Sequence, residues 1–160
     1  MYNAPTMVVV WVDMTMTPRR FLNIGKDGGP ESNVTGYWLA EIKSLFSVAL
    51  LRFDDGSRDA YHSHAFNCIS WVLTGKLEER HLELDHTERV DNHTPSLRPV
   101  ITRRSTFHRV ISRGTTWVLT FRGPWSKEWH EYDPHEGKYT TLTFGRKVMN
   151  DDLAHAPFPY

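Results

Sequence analysis

The sequence predicts an all-β domain of sandwich, jelly-roll or barrel type, on three observations. From Leu45 onward, short runs of strand-forming residues alternate with turn signals. Nothing between those runs is long enough for the helical crossover that a parallel sheet needs. The chain has 160 residues, the usual size of one domain and enough to bury a core without disulfides.

The elements are justified in chain order. Residues 1–36 are weakly patterned and end in the glycine-rich stretch Gly25 to Gly36, where Asp27-Gly28-Gly29-Pro30 signals a turn. Tyr37 to Ser44 (YWLAEIKS) has the composition of one or two helical turns. Residues 1–44 are therefore an N-terminal extension expected to pack on the barrel, residues 45–144 the barrel, and residues 145–160 a C-terminal tail, frayed from Asp151. Strands are expected at Leu45–Phe53, Ala60–His64 and Cys68–Thr74, with Asp54-Asp55-Gly56-Ser57 as a turn. Lys76–Leu84 is a polar strand, expected on an edge or a solvent face, and Asp85 to Arg98 reads as a long loop. Val100–Arg104, Phe107–Ser112 and Thr115–Arg122 follow, the last two joined by Arg113-Gly114, and Tyr139–Phe144 closes a set of seven or eight strands.

Composition narrows the function. Lys+Arg and Asp+Glu both number 19, so there is no net positive field to draw a nucleic acid. One cysteine excludes an internal disulfide and any multi-cysteine zinc module. The apolar run Met7 to Val12 is far shorter than the ~20 residues of a membrane span, and no signal peptide is read before it. The expectation is a cytoplasmic protein acting on a small molecule, with no membrane or nucleic-acid partner. Nine histidines point to metal chemistry by imidazole.

His62 and His64 are two apart in an expected strand, so both side chains lie on one face and can aim at one point. His108 lies in a second strand that a closed β fold can bring alongside. The other histidines, His81, His86, His93, His130, His135 and His155, fall in loops or polar strands and read as surface residues, as do Glu78 and Glu79. Arg52, Arg58 and Arg122 are candidates to clamp an anionic substrate. Trp71 and Trp117 lie in strands as core or interface residues. Alternation sets Ile69, Trp71 and Leu73 opposite Cys68, Ser70 and Val72. An outer apolar face of that kind needs cover, from residues 1–36 or from a second subunit in a homodimer.

The spacing Gly56-x5-His62-Ser63-His64-x3-Cys68-x6-Gly75 resembles the first motif of the cupin superfamily, G-x5-H-x-H-x3,4-E-x6-G, with Cys68 in the place of the glutamate. The second motif, G-x5-P-x-G-x2-H-x3-N, is matched at His108, with Ser105 and Ser112 at its glycine and asparagine. The resemblance runs from about Leu45 to Phe144. It implies a cupin-type double-stranded β-helix holding one divalent metal on His62, His64 and His108. The stretches RFDDGSRDAYHSHAFNCISWVLTGKLEE and GTTWVLTFRGPWSKEWHEY look like small uncharacterised bacterial and phage cupins. Cys68 with Gly75-Lys76-Leu77-Glu78-Glu79, in the pattern Cys-x6-Gly-x-Leu-x-Glu, and His108-Arg109-Val110 are similar to cysteine dioxygenase. The aligned segment Thr120-Phe121-Arg122 lacks that family's cross-linking tyrosine, for which Tyr132 is a displaced substitute.

The resemblance implies Fe(II) as the favoured metal, with Zn, Mn or Ni as alternatives. Cys68 is read as a fourth ligand, a support of the ligands or a plain core residue, and Asn67 as a weaker candidate for such support. Three functions follow: an Fe(II) dioxygenase acting on a small anionic substrate, a non-redox isomerase or lyase, or a non-catalytic binding protein.

Overall fold

The computed structural model describes residues 19–57, 60–83, 85, 87–143 and 148–153. Fourteen strands run in chain order: β1 (Arg19–Lys26), β2 (Val34–Ile42), β3 (Phe46–Phe53), β4 (Gly56–Ser57), β5 (Tyr61–His62), β6 (Cys68–Thr74), β7 (Leu77–Leu82), β8 (Glu88–His93), β9 (Val100–Thr102), β10 (His108–Ser112), β11 (Thr116–Arg122), β12 (Glu128–Asp133), β13 (Lys138–Thr143) and β14 (Val148–Leu153). They form two antiparallel sheets and no helix among the described residues. One sheet has the order β1-β2-β3-β11-β6-β9, and the other β14-β13-β12-β5-β10-β7-β8, with β4 on β10. Neighbours that are distant in sequence make this a jelly roll, in which two sheets face each other across one interior.

Four expectations are corrected. Tyr37 to Ser44 is not helical, because Tyr37–Ile42 belongs to β2 and pairs with β3 on one side and β1 on the other. The sheet thus begins before Leu45, and residues 19–42 extend it by two strands. The Asp85–Arg98 stretch contains strand β8. Asp151–Leu153 lie in β14, paired with β13, not in a frayed tail. Strand β7 is neither an edge nor a solvated strand: it lies between β10 and β8, and Leu77, Glu79 and His81 point inward.

The interior is unusual in its polarity. An apolar cluster of Val34, Trp38, Ala49, Leu51, Val72, Leu77 and Val118 fills one end. The largest fully buried side chains, however, are Glu41, Thr116, Thr120, Ser47 and Ser112. Burying hydroxyls and charges without partners costs free energy, so a fold that does this is shaped around polar contacts as much as around packing.

The β6–β7 turn shows how tightly the strands are set. Gly75 has φ +81°, and a Cβ there would lie 2.3 Å from Thr116 Oγ1 and 2.7 Å from Thr115 O. The same Thr116 hydroxyl accepts from Lys76 N and donates to Lys76 O, both at 3.0 Å. Gly114 has the same φ of +81° but open space around it. Gly75→Ala should therefore cost about 3 kcal/mol and Gly114→Ala about 1 kcal/mol, read from the midpoints of urea unfolding curves.

Candidate metal centre

Three histidines meet at the inner surface of the larger sheet. His62 ends β5 and is the direct register partner of His108 at the start of β10. His64 follows just past the strand end, where its backbone N–H donates to Arg104 O at 3.4 Å. Ser63 is anchored to the next strand: its N–H donates to His130 O, and its hydroxyl accepts from His130 N–H. The chain therefore has to turn His62 and His64 toward the interior on either side of a fixed residue.

The three ring centroids stand 5.1, 5.0 and 4.8 Å apart, a nearly equilateral triangle. One ring nitrogen from each lies within 4.8 Å of those of the other two. His64 Nε2 and His108 Nε2 approach to 2.7 Å.

Two features fit this triangle to a cation. First, His108 Nδ1 donates to Glu79 Oε1, which fixes its proton on Nδ1 and leaves the Nε2 lone pair facing the other imidazoles. A carboxylate behind a histidine is the usual support of a metal ligand, since it sets the tautomer and raises the ring's basicity. Second, burial, followed by the neighbouring His108 and Arg122, holds the His64 pKa well below its ordinary value, so this ring is neutral at neutral pH. A donor set of three imidazoles suits Fe(II), Zn(II), Mn(II) or Ni(II).

Glu79 corrects its reading as a solvated residue. It is buried, and its second oxygen accepts from His93 Nε2 at 2.7 Å. Burial pushes the Glu79 carboxyl upward, but the hydrogen bonds from His108 and His93 outweigh it and hold the group below the usual carboxylate range. His81 is buried beside it, with Nε2 3.2 Å from Asp91 and 3.6 Å from Glu79. Glu79, His81 and His108 form a second set of close ligand atoms, which shares His108 with the first. Glu79 falls on the glutamate of the Cys-x6-Gly-x-Leu-x-Glu spacing without being assigned a role there, and His81 was marked by no spacing. Their signal was the alternation Leu77, Glu79, His81, which shares one face of β7.

The remaining residues are placed as follows. Cys68 is buried in the cavity wall, opposite Arg122 across the β6–β11 ladder, and its sulfur lies 3.9 Å from Ser70 Oγ. It is not part of either ligand group. Asn67 is exposed and its Oδ1 accepts from Arg104 N–H, so it shapes a turn and does not support a ligand. Arg52 faces away from the cavity and pairs with Asp54 at 3.1 Å. Arg58, His86 and His155 lie outside the described residues. His93 and His130 are half-buried, His130 stacking on Tyr139, while His135 is exposed as expected. Tyr132 packs beside Tyr61, Phe107 and Tyr139 and is no counterpart to a cysteine-linked tyrosine.

Of the two described candidates, Arg52 and Arg122, it is Arg122 that lines the cavity, which encloses about 500 Å³. Its guanidinium is buried between the rings of Trp38 and Phe66, at 5.0 and 4.6 Å. It donates to both oxygens of Asp27, Nη2–Oδ2 at 2.5 Å and Nη1–Oδ1 at 3.3 Å. Burial works against the arginine's charge, and Asp27 more than compensates for it. The pair pins the Asp27-Gly28-Gly29 turn over the cavity, and Lys43 Nζ sits 4.2 Å above the Trp125 ring at the same rim.

Two predictions follow from this geometry. In anaerobic Fe(II) or Zn(II) titrations, His64→Ala should lose tight binding, Glu79→Gln should weaken it by about 10–100-fold, and Cys68→Ser should change it far less. Asp27→Asn leaves the Arg122 charge buried without its carboxylate and should cost about 3 kcal/mol in chemical denaturation.

No protein-family model and no curated protein matches this sequence. Solved structures do match. A sugar phosphate isomerase of the cupin superfamily from Silicibacter pomeroyi aligns at a TM-score of 0.51 and 14% identity, over 88% of this chain and 91% of its own. HppE with Fe(II) and substrate aligns at 0.50 and 14%, over 62% and 55%. An RmlC-like cupin from Shewanella frigidimarina aligns at 0.47 and 15%, over 64% and 84%. No helix among the described residues is long and apolar enough to cross a membrane. Two facing antiparallel sheets, matched over nearly the whole chain by a cupin, identify the fold of this protein as the cupin jelly roll.

Proposed function

We propose that the protein is a mononuclear metalloenzyme of the dioxygenase type, with Fe(II) on His62, His64 and His108, acting on a small anionic substrate. The observation that carries this reading is a ligand triangle of three imidazoles with no carboxylate among them. Such a set leaves the full positive charge of a divalent ion facing the cavity, where it supplies open positions for O2 and for an anionic group.

The chain's own residues define the rest of the chemistry. Glu79 holds the His108 proton on Nδ1 and keeps that ring in a ligand's tautomer. Arg122 is already matched by Asp27, so it holds the turn in place and does not serve as a free anion clamp. Phe66, Trp125 and Trp129 line the cavity with aromatic surface, which favours a substrate with an apolar body. The anionic group is thus oriented toward the histidines, and the body toward these rings.

The test is metal analysis of protein purified without added metal, followed by oxygen-electrode measurements with a panel of small carboxylates. Near-stoichiometric iron and substrate-dependent oxygen uptake, both lost in His108→Ala, is the expected result. A redox-inert metal with no oxygen uptake would favour isomerase or lyase chemistry. A metal-free, folded protein would point to a binding role, and either outcome overturns the proposal.

A further inference from the structure

The pattern that builds the histidine triangle recurs on β7. In the triangle, His62 and His64 lie two apart in the chain and meet His108 across a strand pair. Glu79 and His81 are likewise two apart, on the inward face of β7, and the direct register partner of Glu79 on β8 is Asp91. These residues gather one imidazole and two carboxylates beside the triangle. His81 and Asp91 do not line the 500 Å³ cavity, so the cluster is separate from the pocket that the triangle faces.

His81 is the informative member. It is buried, at 9% exposure, and its Nε2 makes no hydrogen bond among the described residues. A buried ring nitrogen left without one costs free energy. Yet this atom stands 3.2 Å from Asp91 Oδ2 and 3.6 Å from Glu79 Oε1. The two oxygens approach it without bonding to it, which leaves room for an atom between them. Donors ~2.1 Å from one tetrahedral ion stand about 3.4 Å apart, and the observed 3.2 and 3.6 Å bracket that separation.

We infer that Glu79, His81 and Asp91 hold a second divalent cation, of the Zn(II) or Mn(II) kind that suits mixed imidazole and carboxylate donors. His108 also lies close to Glu79 and His81, but its Nδ1 donates to Glu79 and its Nε2 faces the triangle, so Asp91 supplies the third donor. Glu79 can serve both neighbours, because each carboxylate oxygen offers two lone pairs. Its other oxygen accepts from His93 Nε2 at 2.7 Å, which fixes the group in place. Asp91 Oδ2 also pairs with Arg89, an exposed side chain that the ion displaces. Asp91 is itself partly exposed and opens the path from solvent.

The ion has a structural task. Strand β8 is the edge of its sheet and pairs with β7 alone among the described strands. A cation shared by Asp91, Glu79 and His81 clamps that edge and holds Glu79 where it sets the tautomer of His108. It takes no part in the reaction assigned to the triangle, whatever that reaction is.

Equilibrium dialysis of the full chain against Zn(II), with the bound metal counted by atomic absorption, tests the site. Wild type should bind two ions per chain, the tighter at the triangle. His64→Ala should keep only the weaker ion, and His81→Ala and Asp91→Asn should each keep only the tighter one. Wild-type crystals soaked in Zn(II) should show anomalous density bonded to His81 Nε2, which decides the question if the variants fail to fold. A single ion that is lost in His64→Ala and kept in His81→Ala would overturn the site. So would a second ion that persists in both His81→Ala and Asp91→Asn, or no anomalous density beside His81. A single ion kept in His64→Ala and lost in His81→Ala would support this site and remove the triangle instead.

Discussion

A neutral imidazole has two nitrogens and one proton, and the seat of that proton decides whether the ring can serve as a ligand. In His108 the decision is made by Glu79, which takes the Nδ1 proton in a hydrogen bond and so turns the Nε2 lone pair toward His64 and His62. Glu79 can do this because it is itself an inward residue of β7, lying against β10 through the Glu79–Val110 register. It also draws on His93 from β8, so three adjacent strands share one hydrogen-bonded unit. The placement of the histidine triangle follows from that ladder.

The same interior must shelter a second buried charge. Arg122 projects from β11 into the cavity wall, and the fold resolves the cost by returning the loop after β1 so that Asp27 reaches it. The first two strands are thereby tied to the site: they extend the sheet, and the turn between them roofs the cavity. A polar interior on this scale sets a limit on packing. Apolar clusters are confined to patches between the polar groups, and side chains such as Thr116 and Ser112 hydrogen-bond to each other at 3.1 Å within the wall.

Sequence reading reached the β class and the histidine triangle because each leaves a local signal. His62 and His64 are adjacent on one side of the chain, and the glycines at 56 and 75 frame them at both ends; both have positive φ, at 112° and 81°. Glu79 and His81 were misread for a physical reason. Alternation of polar and apolar residues marks the buried face only when the interior is apolar, and here β7 turns Glu79 and His81 inward and Arg80 to the surface. Strand β2 misled in another way: Leu39, Ala40, Glu41 and Lys43 favour helix, and a bulge between Trp38 and Ala40 breaks the two-residue period that would have marked a strand. Arg52 and Arg122 looked alike as candidates, because only the parity of β3 and β11 relative to the interior separates an outward residue from an inward one.

X-ray absorption on Fe(II)-loaded protein tests the central claim most directly, because it counts the ligands themselves. Three imidazoles predict a shell of light scatterers with the outer-ring pattern of histidine, close to the ~2.0–2.2 Å of nitrogen and oxygen donors. A sulfur scatterer near ~2.3 Å would place Cys68 on the metal and contradict the three-histidine centre.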